Sequence, residues 1–272
     1  MSLSTARNAA IAKLRAAGIE NPSREAELLL GAVFPKTYGD FETIFTPEFE
    51  ARYQAVVDRR AKREPLSHIT GRRAFWEHSF HVSSAVLDPR PDTETLVEAA
   101  LNLSFSRVLD LGTGSGCILL SLLAARPEAR GVGVDISEAA LAVAEQNRAM
   151  LELVACAELN QSDWFANVEG QFDLIVSNPP YITAEVFETL QPEVREFEPK
   201  IALTPRGDGL DCYRVIAGEA ASYLRSDGHL MLEIGFDQAD TASEILRDAG
   251  WCDVTVGNDL SGHPRVISAK RG

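Results

Sequence analysis

The larger, C-terminal part of the chain alternates short apolar runs with helical patterns, and this alternation constrains the fold more than any other feature. Its first unit runs from Val108-Leu109-Asp110-Leu111 through a glycine-rich turn into a helix that carries Ile118 to Leu123. Repeated strand–helix units predict an α/β fold with a doubly wound, mostly parallel, Rossmann-like sheet. Only Asn258 to Pro264 separates the two final strands. That link is too short for a helical crossover, so we expect an antiparallel last strand.

The individual elements follow from the same periodicities. After the strand at 108–111, strands are predicted at 132–135, 153–159, 172–176, 229–234, 252–257 and 264–269, with helices at 209–225 and 237–249.

The beginning of the chain carries a purely helical pattern. Residues 4–17 place apolar side chains at helical spacing, and Ser23 is a candidate cap for a second helix. Pro47 stands where the first turn of a further helix would begin. These residues predict a small helical bundle without a catalytic constellation.

A stretch rich in aromatic and β-branched residues follows the helical pattern. Residues 74–87 predict a strand pair that turns near Glu77 and His78. The predicted organisation is a helical domain over residues 1–72, a β-hairpin linker over 73–88 and an α/β domain over 89–272.

Charge is distributed unevenly over the 272 residues, whose net charge is −14. Residues 1–85 carry 12 basic and 10 acidic residues, a net charge of +2, whereas residues 86–272 carry 14 basic and 30 acidic residues, a net charge of −16. Because binding to phosphates relies on Lys and Arg, free nucleic acid is a poor partner for such an acidic domain. We expect a protein or small-molecule substrate and no direct nucleic-acid partner.

Several absences in the sequence bear on location and metal content. No apolar run reaches membrane-spanning length, and the N-terminus has no apolar signal core. We therefore expect a cytoplasmic protein with no membrane partner, and a monomer by default. The four cysteines form no Cys-x-x-Cys pair, and His78 and His81 have no acidic or cysteine partner in register. No metal site is predicted.

A glycine-rich loop, Gly112-Thr113-Gly114-Ser115-Gly116, joins the strand at 108–111 to its helix. Such a loop lets the backbone approach a ligand closely. Its third glycine comes one residue too early for the dinucleotide pattern G-x-G-x-x-G, which argues against a pyrophosphate ligand. Asp135 ends the next strand, where a carboxylate can accept hydrogen bonds from both hydroxyls of a ribose. With Asp110 the loop reads D-x-G-x-G-x-G, which resembles motif I of the class I S-adenosylmethionine methyltransferases.

A tryptophan follows the third predicted strand at the same edge of the sheet. The indole of Trp164, next to Asp163, can stack on or flank an adenine, and a position in the core is equally open from the sequence.

The predicted strand at 172–176 runs into Ser177-Asn178-Pro179-Pro180-Tyr181. Two consecutive prolines cannot continue a ladder, so the strand stops at Asn178. Taken alone, the motif is also compatible with a turn in which the asparagine caps a bend and the tyrosine covers the core. In a parallel α/β sheet, however, ligands bind at the carboxyl ends of the strands. Asn178 should therefore face a methyl donor bound at the glycine loop.

Such a motif suits the methylation of a planar nitrogen. An amide nitrogen is a poor nucleophile because its lone pair is delocalised. The side-chain oxygen of Asn178 and the carbonyl oxygen of Pro179 can accept its two N–H groups, and the prolines hold both acceptors rigid. Tyr181 can pack on the planar group, with Pro180 as part of the same wall. Positioning then carries most of the effect. We expect Asn178, Pro179 and Tyr181 to be catalytic.

Nearly the whole chain resembles the release factor glutamine methyltransferases, the HemK/PrmC family. Beyond the Asn-Pro-Pro-Tyr motif of planar-nitrogen methyltransferases, the matching stretches are Pro65 to Gly71, Pro89 to Glu94, Asp110 to Gly116, Ser162 to Phe165, Ser177 to Ile182 and Glu198-Pro199. Asp88 departs from the family, which usually has an aliphatic residue before Pro-Arg-Pro, and this puts local packing in question.

The resemblance implies a substrate and a set of roles. It implies methylation of the glutamine in the Gly-Gly-Gln motif of peptide chain release factors, with S-adenosylmethionine as the donor. Gly112 to Gly116, Asp135, Trp164 and Asn178 would bind the donor, and Asn178 to Tyr181 would hold the glutamine. The helical domain would recognise the substrate.

Three alternatives stay open at this point. A glutamine methyltransferase of a ribosomal protein would share the fold, the donor and the motif at Asn178. An adenine or guanine methyltransferase is disfavoured by the acidic domain and by the lack of a nucleic-acid-binding domain. A non-enzymatic binding module would have no need of an intact Asn-Pro-Pro-Tyr. The loop Thr204 to Gly209 receives no role beyond that of a possible lid.

Overall fold

The structure is a computed structural model that describes residues 2–34 and 46–271. The chain divides into two compact units. One comprises Met1–Arg72 and Gln191–Phe197, and the other comprises Arg73–Leu190 and Glu198–Gly272. The β-hairpin thus belongs to the larger unit, and a short segment far along the chain belongs to the smaller one.

The helices are α1 (Leu3–Ala16), α2 (Pro22–Val33), α3 (Pro47–Ala61), α4 (Leu66–Thr70), α5 (Glu94–Leu101), α6 (Cys117–Ala125), α7 (Glu138–Met150), α8 (Ala184–Thr189), α9 (Pro192–Phe197), α10 (Lys200–Leu203), α11 (Asp211–Glu219) and α12 (Ala239–Asp248), with 3-10 turns at Pro91–Thr93 and Ala220–Tyr223. The strands are β1 (Arg72–Phe75), β2 (His78–His81), β3 (Arg107–Leu111), β4 (Arg130–Asp135), β5 (Ala157–Gln161), β6 (Phe172–Ser177), β7 (Leu224–Glu233), β8 (Cys252–Asn258) and β9 (Pro264–Lys270).

The smaller unit is a helical bundle around a buried tyrosine. The hydroxyl of Tyr53 donates to the carbonyl oxygen of Ala26 over 3.0 Å, which satisfies the one polar atom of that side chain within the apolar core. Helix α3 begins at Pro47, as predicted. Ser23 is not a cap: α2 begins one residue earlier, at Pro22, which is pre-organised for the first helical position, and Ser23 lies inside the first turn.

Two arginines of α3 and its C-terminal flank hold the segment Gln191–Phe197 in the helical unit. Arg60 has a side chain only 8% exposed and donates to both Glu25 and Glu193. Arg63 donates from Nη2 to Oε2 of Glu193 over 2.7 Å. A carboxylate shared by two guanidinium groups is a strong anchor because charge-assisted hydrogen bonds are short and directional. No periodicity in the sequence predicts this pairing.

The larger unit is the predicted doubly wound sheet. Its strand order is β5-β4-β3-β6-β7-β9-β8, with parallel pairing from β5 to β7. β9 is antiparallel to both of its neighbours, which confirms the antiparallel last strand. The chain order reverses at β3, which has β4 on one side and β6 on the other. Such a reversal opens a crevice beyond the carboxyl ends of the strands.

Helices cover both faces of this sheet, so its central strands are apolar throughout. Leu109 and Ile175 belong to one buried cluster, together with residues of α11 and α12. Leu174 and Val176 belong to the cluster on the other face, together with residues of α5 and α6. Continuous apolar strands of this kind are expected where a parallel sheet is buried on both sides.

Several predicted boundaries were wrong. The strand expected at 153–159 is β5, at 157–161, because Leu153 to Cys156 form a turn closed by the N–H of Ala157 on the carbonyl of Leu153. The hairpin is shorter and earlier than 74–87, with Trp76 at φ 53° in its turn. The helix expected at 209–225 ends as α11 at Glu219, and β7 begins at Leu224 rather than at residue 229.

In the part of the chain that the structure covers, no helix is long and apolar enough to cross a membrane. Within the same residues, no group of three or more His, Cys, Asp or Glu side chains is arranged to hold a metal ion. His81 makes its contacts through the backbone, where its N–H donates to Oδ1 of Asn147 over 2.6 Å.

Gly131 in β4 provides a test of the packing between sheet and helix. A Cβ there would lie 2.5 Å from Cδ1 of Leu119 and 3.1 Å from Cγ1 of Val108. We expect Gly131→Ala to destabilise the α/β unit by about 1–3 kcal/mol, the usual cost of overpacking a core. The midpoint of thermal unfolding is measured by calorimetry.

Gly218→Ala is the matched control, because nothing lies within 4 Å of its added Cβ and the residue is in α11. A helical Gly→Ala change of this kind should leave the midpoint unchanged or raise it. Equal midpoints for Gly131→Ala and wild type would contradict the close packing of Leu119 and Val108 against Gly131.

Candidate active site

A cavity of about 520 Å³ lies at the carboxyl ends of β3, β4 and β6, and all of its lining residues belong to the α/β unit. This volume is in the range of sites for cofactors and drug-sized ligands. The lining consists of residues 85–87, 89–90 and 93 ahead of α5, the loop Gly112–Ser115 with Cys117 and Ile118, Asp135 to Ser137 with Ala140, Ser162 to Trp164, Asn178, Pro180, and residues 199–202, 204–206 and 212.

The glycine loop presents bare backbone to this cavity. Gly112 has φ 68° and Gly114 has φ 55°, a conformation that residues with a Cβ rarely adopt. Nothing lies within 4 Å of a Cβ built on Gly112, so a side chain there would project into open space. Thr113 fixes the loop from below, since its hydroxyl donates to Oδ2 of Asp110 over 2.7 Å. The loop is therefore a rigid cradle that a ligand can approach closely.

Asp135 is oriented by the backbone on both sides. Its Oδ2 accepts the N–H of Gly114 over 2.9 Å, and its Oδ1 accepts the N–H of Ser137 over 2.9 Å. Burial raises the pKa of this carboxyl, and the backbone N–H groups of Ser137, Gly114 and Ile136 oppose the shift. Asp135 lines the cavity, and a carboxylate accepts several hydrogen bonds. Such an acceptor suits the two neighbouring hydroxyls of a ribose.

Gly116 lies outside the lining, unlike the other four loop residues. It caps α6 with φ 79°, and a Cβ there would come within 2.9 Å of Cδ1 of Leu120. The last glycine of the motif thus lets the helix pack closely, and its contact with the donor stays a prediction.

Trp164 lies between the cavity and the core, and its contact with an adenine stays a prediction. Trp164 lines the cavity and also packs against the core, next to the buried Phe165, whose ring stacks on Tyr223 at 4.7 Å. Its φ of 49° is unusual for a bulky residue. The neighbouring Asp163 is exposed and lines the same end of the cavity.

Asn178 stands directly after β6, which lies on the other side of β3 from β4 and β5. Residue pairing of Leu111 with Ser177, and the hydrogen bond from Oγ of Ser177 to the carbonyl of Leu111 over 2.7 Å, fix this strand end next to the glycine loop. The half-buried Asn178 donates from Nδ2 to Oγ1 of Thr93 over 3.3 Å. The nitrogen of its side-chain amide therefore has a hydrogen-bond partner within the protein.

The other members of the motif divide between the cavity and the core. Pro180 lines the cavity, whereas Pro179 and Tyr181 do not. The ring of Tyr181 packs against the core, and its hydroxyl donates to Oε1 of Glu233 over 3.1 Å. Its carbonyl oxygen accepts Nε2 of Gln238 over 3.0 Å. The structure thus places the tyrosine behind the site, where it supports the turn, rather than on the face of the cavity.

Glu233 is a buried carboxyl that the sequence analysis missed. It ends β7 and is 1% exposed. Burial raises the pKa of Glu233 to about 7, against the opposing influence of Thr93, Arg265 and Tyr181. The only sequence signal was an acidic residue at the end of an otherwise apolar strand.

The arginine between two prolines, Arg90, forms an ion pair with a buried carboxylate. It lines the cavity, and its Nη2 lies 2.7 and 2.8 Å from the two carboxylate oxygens of Glu198, whose side chain is 1% exposed. Asp88, the residue that departs from the family pattern, is buried with Nη1 of Arg73 at 3.7 Å from its Oδ2. A charged residue is thus accommodated there by a cation from β1.

Asn147 in α7 is a further residue that the sequence analysis missed. It is fully buried, and its Nδ2 donates to the carbonyl oxygens of Ser115 and His81 over 2.8 and 3.0 Å. One side chain thus joins the glycine loop to the β-hairpin. An asparagine on the apolar face of an amphipathic helix was the available signal.

Asp110 predicts a pH dependence of stability. Burial raises its pKa to about 7, although the Thr113 hydroxyl acts to lower it. The unfolded chain ionises this carboxyl near pH 4 while the folded chain keeps it protonated, so the contribution of Asp110 to stability falls between about pH 4 and pH 7. Asp110→Asn does not have this loss. Relative to wild type, the variant should gain on the order of 3 kcal/mol in unfolding free energy over that range.

The measurement is the thermal midpoint of both proteins, without added ligand, at half-unit steps of pH. Asp248→Asn, at an exposed position in α12, is the control and should track the wild type. A constant difference between Asp110→Asn and wild type across the range would show that the pKa of this carboxyl is the same in the folded and the unfolded chain.

Known proteins match this chain over almost its full length. The family model described as "Methyltransferase small domain" matches residues 75–194, and the "PrmC N-terminal domain" matches residues 5–71. The release factor glutamine methyltransferase of Cereibacter sphaeroides is 47% identical over 274 residues, 99% of each chain. That of Rhodospirillum rubrum is 45% identical over 266 residues, 95% of this chain and 82% of its own length.

Solved structures of low identity support the fold alone. The hMettl16 catalytic domain, solved with the MAT2A 3'UTR hairpin 6, superimposes with a TM-score of 0.61 at 15% identity over 84% of this chain and 83% of its own. The relatives of 45–47% identity, which match over most of both chains, show that the chain belongs to the release factor glutamine methyltransferase family.

Proposed function

We propose that this protein transfers a methyl group from S-adenosylmethionine to the side-chain amide nitrogen of the glutamine in the Gly-Gly-Gln motif of peptide chain release factors. One observation carries the proposal. Asn178 lies at the same sheet edge as the glycine loop and Asp135, and its side-chain nitrogen is hydrogen-bonded to Thr93. Family membership supports the reaction and the donor.

The residues around the cavity fit the donor group by group. The backbone of Gly112 and Gly114, which carries no Cβ, would lie against its amino-acid and sulfonium portion, and the carboxylate of Asp135 would accept the ribose hydroxyls. Trp164 would flank the adenine. When bound, S-adenosylmethionine supplies an electrophilic methyl group. Arg90 adds a cation to the lining at the same cavity.

The acceptor would be held by two fixed oxygens. Oδ1 of Asn178 would accept one N–H of the glutamine amide at the cavity, with Pro180 as the wall beside it. The carbonyl oxygen of Pro179, which does not line the cavity itself, would accept the other N–H next to it. Fixed acceptors need little reorganisation, and they favour the nitrogen as its lone pair localises during attack. The substrate nitrogen then meets the methyl carbon in line, and its surplus proton leaves after transfer.

Tyr181 receives a different role from the one the sequence suggested. With its hydroxyl on Glu233 and its carbonyl on Gln238, it would brace the Pro179–Pro180 turn from behind. We further propose that the helical residues 1–72 recognise the release factor, that the protein acts in the cytoplasm as a monomer, and that it needs no direct nucleic-acid contact.

The reaction is tested by mass spectrometry of a purified release factor incubated with this protein and S-adenosylmethionine. We expect one added methyl group, on the glutamine of Gly-Gly-Gln. Asn178→Ala should lower kcat by about 100-fold or more, the usual loss when a transition-state hydrogen-bond partner is removed. Asn102→Ala, at the exposed end of α5, is the control and should keep wild-type activity.

Methylation of a ribosomal protein or of nucleic acid, with none on the release factor, would overturn the substrate assignment. Full activity of Asn178→Ala on the release factor would overturn the role of the motif and leave the substrate assignment intact.

The donor site is tested by calorimetry with S-adenosylmethionine alone. Asp135→Ala removes the acceptors for the ribose hydroxyls and should weaken binding by about 10- to 100-fold, in line with the loss of hydrogen bonds to a charged group. The control is Asp248→Ala, whose carboxylate is exposed in α12. An unchanged dissociation constant for Asp135→Ala would mean that the ribose lies elsewhere.

A further inference from the structure

The proposed reaction requires that Asn178 present an oxygen, and not its NH₂ group, to the substrate. The two ends of a carboxamide have nearly the same shape, so only hydrogen-bond partners decide which end faces a ligand. Nδ2 of Asn178 donates to Oγ1 of Thr93 over 3.3 Å. Among the residues that the structure describes, none donates a hydrogen bond to Oδ1 of Asn178 within the wall of the cavity.

Thr93 is well placed to orient this amide, because it is itself fixed. It is 2% exposed at the end of the 3-10 turn Pro91–Thr93, and its backbone N–H donates to the carbonyl of Arg90 over 3.1 Å. Pro91 starts that turn and limits its backbone freedom. The hydroxyl therefore reaches Asn178 from a rigid position.

A hydroxyl can donate or accept, and the hydrogen bond with Asn178 shows which it does here. Nδ2 of a carboxamide has only protons to offer, so Oγ1 of Thr93 is the acceptor. The Thr93 hydroxyl also lowers the pKa of the buried Glu233 carboxyl, the direction expected of a donor. Oε2 of Glu233 has no hydrogen-bond partner among the residues that the structure describes, so the orientation of the amide rests on its bond to Thr93.

We propose that Thr93 is a positioning residue that holds the Asn178 carboxamide with its nitrogen toward the protein and its oxygen toward the substrate amide. The inference rests on the proposed function for its consequence in catalysis, and on the hydrogen bond between Asn178 and Thr93 for the orientation of the side chain.

The first test compares two substitutions of similar size. Thr93→Val keeps the branched shape without the hydroxyl, and Thr93→Ser keeps the hydroxyl. We expect Thr93→Val to lower kcat for the release factor about 10-fold or more, with KM and the dissociation constant of S-adenosylmethionine within about 2-fold of wild type. Thr93→Ser should restore most of kcat. Thr255→Val, on the exposed side of β8, controls for the Thr→Val change itself.

A loss of kcat in Thr93→Ser as large as in Thr93→Val would assign the effect to packing. Wild-type kcat in Thr93→Val would overturn the inference. A double-mutant cycle with Asn178→Ala extends the test, because residues that act through one another give non-additive effects. The double variant should be little worse than Asn178→Ala alone, and losses that multiply would contradict the action of Thr93 through Asn178.

A second readout is independent of the substrate. In proton–nitrogen NMR spectra with saturating S-adenosylmethionine and no acceptor, the side-chain NH₂ signal of Asn178 is identified by its absence in Asn178→Ala. We expect this signal to shift and to exchange faster with solvent in Thr93→Val, and to stay near its wild-type position in Thr93→Ser. An unchanged signal in Thr93→Val would overturn the orientation, whether or not the release factor is the substrate.

Discussion

The site depends on the parallel pairing of β3 with a neighbour on each side. In this register Leu111 is opposite Val134 of β4 and Ser177 of β6. The glycine loop, Asp135 and Asn178 follow these three strand ends directly, so a one-residue slip in either pairing would separate them. The buried hydrogen bond from Ser177 to the Leu111 carbonyl adds a side-chain lock to the ladder. Catalytic geometry is thus a property of the sheet.

Behind this edge lies a second layer of buried polar groups. The hydroxyl of Thr93 accepts from Asn178, the hydroxyl of Tyr181 donates to Glu233 at the end of β7, and Arg265 compensates part of the buried charge. A buried polar group without a partner costs free energy, and Oε2 of Glu233 has none among the described residues. We interpret the bond between Asn178 and Thr93 as the reason why the amide of Asn178 can be held in one orientation.

The sequence predicted the parallel sheet, its antiparallel last strand and the residues next to the cavity, because strand periodicity and loop chemistry are local. It failed where distant residues decide the outcome. Glu198 meets Arg90 across 108 positions, and Thr93 meets Asn178 across 85. Tyr181 was assigned to the substrate because its aromatic ring suits a planar group, yet Glu233, 52 residues on, draws its hydroxyl into the core. Leu153 was assigned to a strand because a short apolar run in a turn cannot be told from the start of a strand by its sequence alone.

We propose that one sheet edge brings a methyl donor and a carboxamide held by Asn178 together. A crystal structure of the protein with S-adenosylhomocysteine and a Gly-Gly-Gln peptide tests this arrangement most directly. We expect the glutamine nitrogen at about 3 Å from Oδ1 of Asn178, with the ribose hydroxyls on Asp135. A glutamine side chain bound away from Asn178, or facing its Nδ2, would contradict the arrangement.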